Sequence, residues 1–403
     1  MPSRLFTPRF FIMFGYSFTV FVSVFQLLPT APYRVLDLGG STAVAGLFHG
    51  FLTFSSAASA PFAGPLSDRL GHRRVLMWVS LMLAVFTASY AFISDYRLML
   101  AVVVGHGLIW SALLSASGAY MTATIPASRR GEGLGYWGLS SVLAIGAAPA
   151  LGFWVYRHGW AALCAELTVL NLLMAAIAWS LPDDDEAARE ERASVEAAMA
   201  SSSDGLRPVP HGVEWRVVWL SATTSLVTFG YGSLTSFSAL FADQLGLSPR
   251  SLFLSVMACA VVVSRLTIGR TLDALGPRRV LVRSMWAPPL GLLLLALARG
   301  EAMFIASAIV FGAGFGLLLP AYNTYVLTHV HPYRRGAAFG GMLAAFDTGI
   351  GAGSSAMGAL VHAHGFRVAY GFAALVAAMA LPYFLFAERK FGFASEIVGN
   401  DPL

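Results

Sequence analysis

The amino-acid sequence predicts an all-α membrane protein with twelve transmembrane helices in two six-helix halves, and three observations support this fold class. The chain of 403 residues is 57% hydrophobic and only 12% charged, with a mean hydropathy of +0.69, whereas a soluble protein carries about 25% charged residues. Apolar runs of spanning length recur along the whole chain. A polar segment between two such runs occurs twice, which indicates an internal duplication.

The apolar runs define twelve predicted spans, because a helix needs about 20 apolar residues to cross about 30 Å of hydrocarbon. Spans 1 to 6 cover roughly residues 10–30, 42–63, 75–94, 98–123, 133–156 and 160–181. Spans 7 to 12 cover roughly residues 216–241, 249–270, 280–298, 302–326, 337–361 and 366–387. The runs lack the alternation of barrel strands, and an open sheet cannot cross a bilayer, so we interpret them as helices.

The duplication is visible in two motifs that keep one spacing. The segment Gly64–Arg74, GPLSDRLGHRR, aligns without a gap with Gly269–Arg279, GRTLDALGPRR. The same offset aligns Arg129–Gly135 with Arg334–Gly340. The chain therefore divides into a first half at residues 1–181 and a second half at residues 214–403. The polar segment 182–213 between them is interpreted as a solvated cytoplasmic linker.

The basic residues predict the orientation, since lysine and arginine accumulate in cytoplasmic loops. With both termini in the cytoplasm, all but six of the 26 lysines and arginines lie on the cytoplasmic side. This topology also accounts for the net charge of +5, so nucleic acid is not an expected partner. The six on the opposite side are Arg34, Arg97, Arg157, Arg250, Arg299 and Arg367.

These features together resemble the major facilitator superfamily: twelve spans, a 6+6 duplication, a long central loop and the Gly-x-x-x-Asp-Arg-x-Gly-x-Arg-Arg motif between spans 2 and 3. Within it, Gly146, Pro149 and Gly152 of span 5 resemble the Gly-Pro-x-x-Gly motif of drug/proton antiporters, with Ala148 in place of a glycine. Span 4 departs from those exporters, because Val103 stands where they carry an arginine. The resemblance implies export by alternating access, with span 5 packed against span 8; the alternative for the span 5 motif is a plain proline kink.

The resemblance also implies a cytoplasmic gate built from the repeated motif. A carboxylate is stabilised at a helix N-terminus by the macrodipole, and neighbouring arginines add charge-assisted hydrogen bonds. We expect these groups to hold the cytoplasmic ends of the halves together, the alternative being loop charges that only set topology. The gate residues are Gly64, Asp68, Arg69, Gly71, Arg73, Arg74, Arg130, Asp273, Arg278, Arg279 and Arg335.

Four ionisable side chains inside the spans are candidate coupling residues, because charges within a bilayer are costly and usually functional. Asp347 lies 12 residues after Arg335, about 18 Å into span 11 at 1.5 Å per residue. It is a candidate site for a proton or a cationic substrate, or else a structural carboxylate paired across helices. Glu166, His106 and His49 are further candidates, with a structural hydrogen bond as the alternative for each.

A substrate cavity is expected between spans 1, 4, 7 and 10, which line it in the family that the chain resembles. The polar and aromatic side chains on these spans predict aromatic walls with few charges, although serine and threonine also serve as contacts between helices. The candidates are Tyr16, Gln26, Ser111, Ser115, Tyr231, Thr235, Tyr322, Asn323 and Tyr325.

Other chemistry is not predicted. The sequence contains no Gly-x-x-x-x-Gly-Lys phosphate loop, nucleophile elbow or metalloprotease pair, so we expect neither an enzyme nor a protein driven directly by ATP. The two cysteines, Cys164 and Cys259, give no disulfide framework and no zinc spacing, and both are expected to be buried. No cofactor and no metal are expected.

The predicted function is secondary active transport across the bacterial inner membrane, by proton-coupled efflux of a small organic molecule. Proton-coupled uptake of a small solute is the alternative within transport, and a lipid flippase or a non-transporting sensor of the same fold are alternatives outside it. The expected partners are the substrate, protons and membrane lipids. A monomer is expected to suffice, because the duplicated chain supplies both halves of the pathway.

Overall fold

The computed structural model describes residues 5–126, 129–182, 215–330 and 335–391, and within these ranges the chain is α-helical with no strand. Helices occupy all six predicted spans of the first half. They are Pro8–Asp37, Thr42–Leu70, His72–Tyr90, Tyr96–Thr124, Arg130–Tyr156 and Trp160–Ser180. Residues 183–214, which include all of the predicted linker 182–213 except Pro182, lie outside the described residues.

The second half repeats this order with two interruptions. Span 9 is formed by two helices, and the long helix Arg335–Ala378 contains span 11 and the start of span 12 on either side of the non-helical Gly365. The helices are Trp215–Gln244, Leu252–Leu275, Pro277–Ser284, Ala287–Leu297, Glu301–Thr328, Arg335–Ala378 and Ala380–Lys390.

The repeated motif makes the same tight turn in both halves. The helix of span 2 ends at Leu70 and the next begins at His72, with Gly71 between them at φ 88°. Gly276 occupies the equivalent position at φ 77°. Glycine is required in these turns because a side chain disfavours positive φ. The sequence placed the whole motif in a loop, which was wrong, because residues 64–70 continue the span 2 helix and put Asp68 in its last turn.

Apolar side chains cover the outward faces of the helices. Trp78, Met82 and Val85 follow one face of span 3 and are 47–68% exposed, and eight helices among the described residues are long and apolar enough to cross a membrane. Such a continuous apolar surface fits contact with lipid. Cys259 was expected to be buried but is exposed, because it shares the outward face of span 8 with Val263, four residues later.

Helix packing follows the duplication within each half. In the first half, span 1 packs on span 5, span 2 on span 4 and span 3 on span 6. In the second half, span 7 packs on the long helix Arg335–Ala378, span 8 on span 10, and the second helix of span 9 on the same long helix. The halves meet where span 2 packs on this long helix and where span 5 packs on span 8. Any site between the halves is therefore framed by these two helix pairs.

Candidate functional site

Span 2 and span 11 approach each other so closely that their backbones touch. A Cβ added to Gly46 would lie 3.1 Å from the Cα of Gly358, and one added to Gly50 would lie 3.2 Å from the carbonyl oxygen of Gly351. Small residues permit this approach, as they do between other membrane helices. We call this contact the glycine seam; it brings polar side chains of both halves into direct contact.

Asp347 lies at one end of the glycine seam. It is 5% exposed, and Ser56 of span 2 donates a hydrogen bond of 2.7 Å to its Oδ2 atom. No basic side chain pairs with it in the part of the chain that the structure describes. An ionised carboxylate at this depth would be buried with only a neutral donor, which is costly. The site is therefore suited to a carboxyl group that gains and loses a proton, or that pairs with a cation.

A chain of hydrogen bonds crosses the seam two helical turns away from Asp347. His49 Nδ1 lies 3.0 Å from Ser236 Oγ and 3.3 Å from Thr235 Oγ1. Ser236 Oγ lies 2.7 Å from Ser354 Oγ, which itself donates to the carbonyl oxygen of Gly46 at 2.8 Å. Since each serine hydroxyl has one proton, Ser236 donates to Ser354 and His49 Nδ1 donates to Ser236. The network thus assigns the Nδ1–H tautomer to His49 and connects spans 2, 7 and 11.

Aromatic rings of spans 7 and 10 pack near Phe346, the residue before Asp347. Tyr231 of span 7 stacks on Phe315 of span 10 with 4.6 Å between ring centroids, and its centroid lies 6.5 Å from that of Phe346. In the first half, Phe21 and Trp110 of spans 1 and 4 contact each other edge to face. These rings offer apolar surface and, for a cation, a favourable ring face.

Three predicted cavity tyrosines point toward other helices of their own half. Tyr16 lies 2.9 Å from Ser80 of span 3, and Tyr322 donates to Ser221 of span 7. Tyr325 donates to a carboxylate near the end of the last helix. All three are fully buried. Three further predicted cavity residues, Ser111, Ser115 and Asn323, are buried or half-buried, whereas the side chain that donates to Asp347 is Ser56.

The first-half candidates also lie away from the seam. His106 Nδ1 lies 3.2 Å from the hydroxyl of Tyr90, and its ring stacks between Phe86 and Tyr90. Glu166 accepts a hydrogen bond of 3.2 Å from Gln26 Nε2. The structure therefore joins His49 and Thr235 across the seam, two helical turns from Asp347, and places Tyr231 near Phe346. It leaves His106 and Glu166 within the first half.

The span 5 motif packs against both halves. A Cβ on Gly146 would lie 3.4 Å from the Cβ of Ala258 in span 8, and one on Gly152 would lie 3.0 Å from the Cα of Gln26 in span 1. Pro149 lies between these two contacts inside the helix. Glycines thus allow close approach on two sides of span 5.

The predicted cytoplasmic gate is described only in part. Asp68 lies 3.9 Å from His72, and Arg73 donates to the carbonyl oxygen of Trp179. Arg278 forms a two-bond ion pair with Glu388, at 2.7 and 2.8 Å, which ties it within the second half. The side chains of Arg69, Arg74 and Arg279 are exposed. Those of Arg130, Asp273 and Arg335 lie outside the described residues, so a gate between the halves at this end stays a prediction.

A contact between the halves that the sequence did not predict lies at the opposite end of the bundle. Tyr33 of span 1 donates to Asp243 Oδ2 of span 7 at 2.9 Å, and Arg250 Nε donates to Asp243 Oδ1 at 3.0 Å. The Arg250 guanidinium also lies 4.6 Å from the ring centroid of Tyr33. We call these three residues the tyrosine latch, because they fasten span 1 to the second half.

We expect Tyr33→Phe, which keeps the aromatic ring, to increase the population of the state that is open at this end of the bundle. A hydrogen bond to a partly exposed carboxylate is worth about 1 kcal/mol, which corresponds to about a fivefold change in the population of the open state. Spin labels at Ser94→Cys and Ser248→Cys, in a Cys259→Ser background, would report the change as a larger fraction of long distances in pulsed electron resonance.

The matched control is Tyr156→Phe, which removes the same hydroxyl from a 2.7 Å bond to Asp37. That bond lies within the first half at the same end of the bundle. An equal change in both variants would contradict a specific role for the tyrosine latch.

Comparisons with known proteins agree with this architecture. The family model described as Major Facilitator Superfamily matches residues 9–282 and 251–392. The uncharacterized MFS-type transporter YhhS of Escherichia coli K12 is 25% identical over 379 residues, covering 91% of this chain and 89% of YhhS. YhhS of Salmonella typhimurium is 27% identical over 385 residues, covering 91% of this chain and 89% of the relative.

Solved structures share the fold at low sequence identity. The nucleoside transporter NupG has a TM-score of 0.69 at 17% identity, covering 94% of this chain and 99% of NupG. A bacterial homologue of the human lysosomal transporter Spinster, in an inward-facing and unoccupied conformation, has a TM-score of 0.71 at 15% identity, with 95% and 97% covered. Because the family model matches nearly the whole chain, this protein belongs to the major facilitator superfamily of membrane transporters.

Proposed function

We propose that this protein is a secondary active transporter that exports a small organic molecule in exchange for protons. The observation that carries the proposal is the burial of Asp347 where the two halves meet, with a single neutral donor from the other half. In alternating access the halves rock about a central site, so a group bonded to both halves is well placed to couple its own charge to their movement.

The aromatic rings beside Asp347 support an organic cargo with apolar surface. Tyr231 and Phe346 can contact such a molecule while the carboxyl group meets a basic or hydrogen-bonding part of it. Proton and cargo would then compete for one carboxylate, which is the simplest basis for exchange. The predicted topology places both termini in the cytoplasm and the tyrosine latch on the periplasmic side of the inner membrane, and the duplicated chain is proposed to work as a monomer.

The test is a measurement of internal pH in proteoliposomes that contain the purified protein and a trapped pH indicator. We expect a panel of organic cations and neutral drugs to include compounds that drive proton movement opposite to their own flux. Proton movement in the same direction as the compound would indicate proton-coupled uptake and would contradict proton-coupled export. Binding without flux would indicate a sensor, and movement of fluorescent lipid analogues alone would indicate a flippase.

A further inference from the structure

An amide and a carboxyl group meet inside the first half, away from the glycine seam. Gln26 of span 1 is fully buried, and its Nε2 donates to Glu166 Oε1 of span 6 at 3.2 Å. The two remaining oxygens, Gln26 Oε1 and Glu166 Oε2, are both buried and have no hydrogen-bond partner among the described residues. The pair therefore makes one of the two hydrogen bonds that an amide and a carboxyl group can form with each other.

The missing bond needs a proton. An ionised carboxylate has only acceptors, so Glu166 Oε2 and Gln26 Oε1 could not bond to each other in that state. A buried oxygen without a donor is costly, and a buried charge without a partner costs more. If Glu166 carries a proton on Oε2, that hydroxyl can donate to Gln26 Oε1 while the Gln26 amide donates to Glu166 Oε1. One proton thus satisfies both orphaned oxygens.

Packing against span 5 closes one side of the pair. A Cβ on Gly152 would lie 2.9 Å from the Cβ and 3.0 Å from the Cα of Gln26, so the backbone of span 5 closes that side. No group of three or more metal-ligating His, Cys, Asp or Glu side chains occurs in the described ranges. The two free oxygens alone are too few for a hard cation, which takes six or more oxygen ligands.

Charged and titratable side chains on the neighbouring helices are directed to other partners. Arg34 of span 1 donates to a backbone carbonyl between spans 3 and 4 and lies over an indole ring. Tyr90 of span 3 bonds to an imidazole of span 4, and Tyr156 of span 5 bonds to a carboxylate at the end of span 1. Cys164 on span 6 is buried two residues before Glu166. None of them supplies the positive charge that would favour an ionised Glu166.

We propose that Gln26 and Glu166 form a proton-binding site in the first half, in which a neutral carboxylic acid and an amide exchange two reciprocal hydrogen bonds. The site is distinct from Asp347, which belongs to the second half. Both partners belong to the first half, so the proton is held there without a contribution from the substrate. The inference therefore stands independently of the direction or cargo of transport.

Infrared spectroscopy on the reconstituted protein without substrate tests this site. The quantity measured is the difference between the spectrum of the wild type and that of each variant. Near neutral pH we expect a carboxylic acid C=O band that disappears in Glu166→Gln and persists in Asp347→Asn. In Gln26→Leu the band should move to higher wavenumber, because the acid loses its reciprocal bonds. Glu166→Gln is the informative variant because an amide pair can keep both bonds, so folding should be preserved.

Carbodiimide labelling gives a second measurement, since this reagent modifies protonated carboxyl groups in apolar surroundings. We expect peptide mass spectrometry to find the adduct on Glu166 of the wild-type protein. Two results together would overturn the proposal: Glu166→Gln removes only carboxylate bands from the infrared spectrum, and the wild-type protein carries no adduct on Glu166. They would indicate that Glu166 is ionised and bridged by water. A failure of the flux assay would leave this result unaffected.

Discussion

Asp347→Asn is expected to reduce ligand-driven proton movement in proteoliposomes to the level of protein-free vesicles. The substitution keeps the shape of the side chain and lets the amide oxygen accept the 2.7 Å bond from Ser56. It removes only the capacity to bind and release a proton. Because ionisable groups inside a bilayer are costly, they are retained chiefly where the charge has a function.

The control for Asp347→Asn is Asp37→Asn, the same chemical change on an exposed carboxylate that bonds to Tyr156. This variant should transport as the wild type does. Asp347→Glu should retain part of the coupling, since it keeps an ionisable group one methylene further from the backbone. Unchanged proton movement in Asp347→Asn would reduce the residue to a packing role and contradict the proposed coupling site.

Gly46→Ala is expected to hold the halves apart at the glycine seam and to slow transport at least about fivefold. The added Cβ would meet the backbone carbonyl of Ser354 closely and lie 3.1 Å from the Cα of Gly358. Neither neighbour is a flexible side chain that could turn away. Overpacking of this kind costs about 1–3 kcal/mol, which corresponds to a shift of roughly 5- to 150-fold between two states.

The matched control for the seam is Gly118→Ala in span 4, where an added Cβ would meet no atom within 4 Å. Spin labels at Ser94→Cys and Ser248→Cys should show longer distances for Gly46→Ala and unchanged distances for Gly118→Ala. If Gly46→Ala transports at the wild-type rate with unchanged distances, the seam does not need backbone contact to close.

The sequence predicted the positions of the helices well because spanning length and duplication are properties of the chain itself. Gly71 and Gly276 could be matched from the repeat alone, and the structure gives both the same turn. The burial of Asp347 followed from its position in span 11. These features depend on local spacing, which the sequence shows directly.

The partners of the site residues could not be predicted, because they depend on how each helix is rotated and how far it is shifted along its neighbour. Serine is common throughout the spans, so nothing in the sequence singled out Ser56 or Ser354 before the register between spans 2 and 11 was known. The same uncertainty placed Tyr16 in the cavity, although packing turns it toward Ser80. Glu388 was missed because an acid beside Arg389 and Lys390 is typical of a solvated helix end.

The glycine seam also limits the free-energy difference between the open and closed states of the transporter. Where helices touch through Gly46 and Gly358, closing the contact immobilises few rotatable bonds, so little side-chain entropy is lost. Among the described residues no ion pair lies at this contact, so closing it does not carry the free-energy cost of dehydrating charges. The free-energy difference between open and closed forms can then stay within a few kcal/mol, a range that the proposed binding of one proton at Asp347 could reverse.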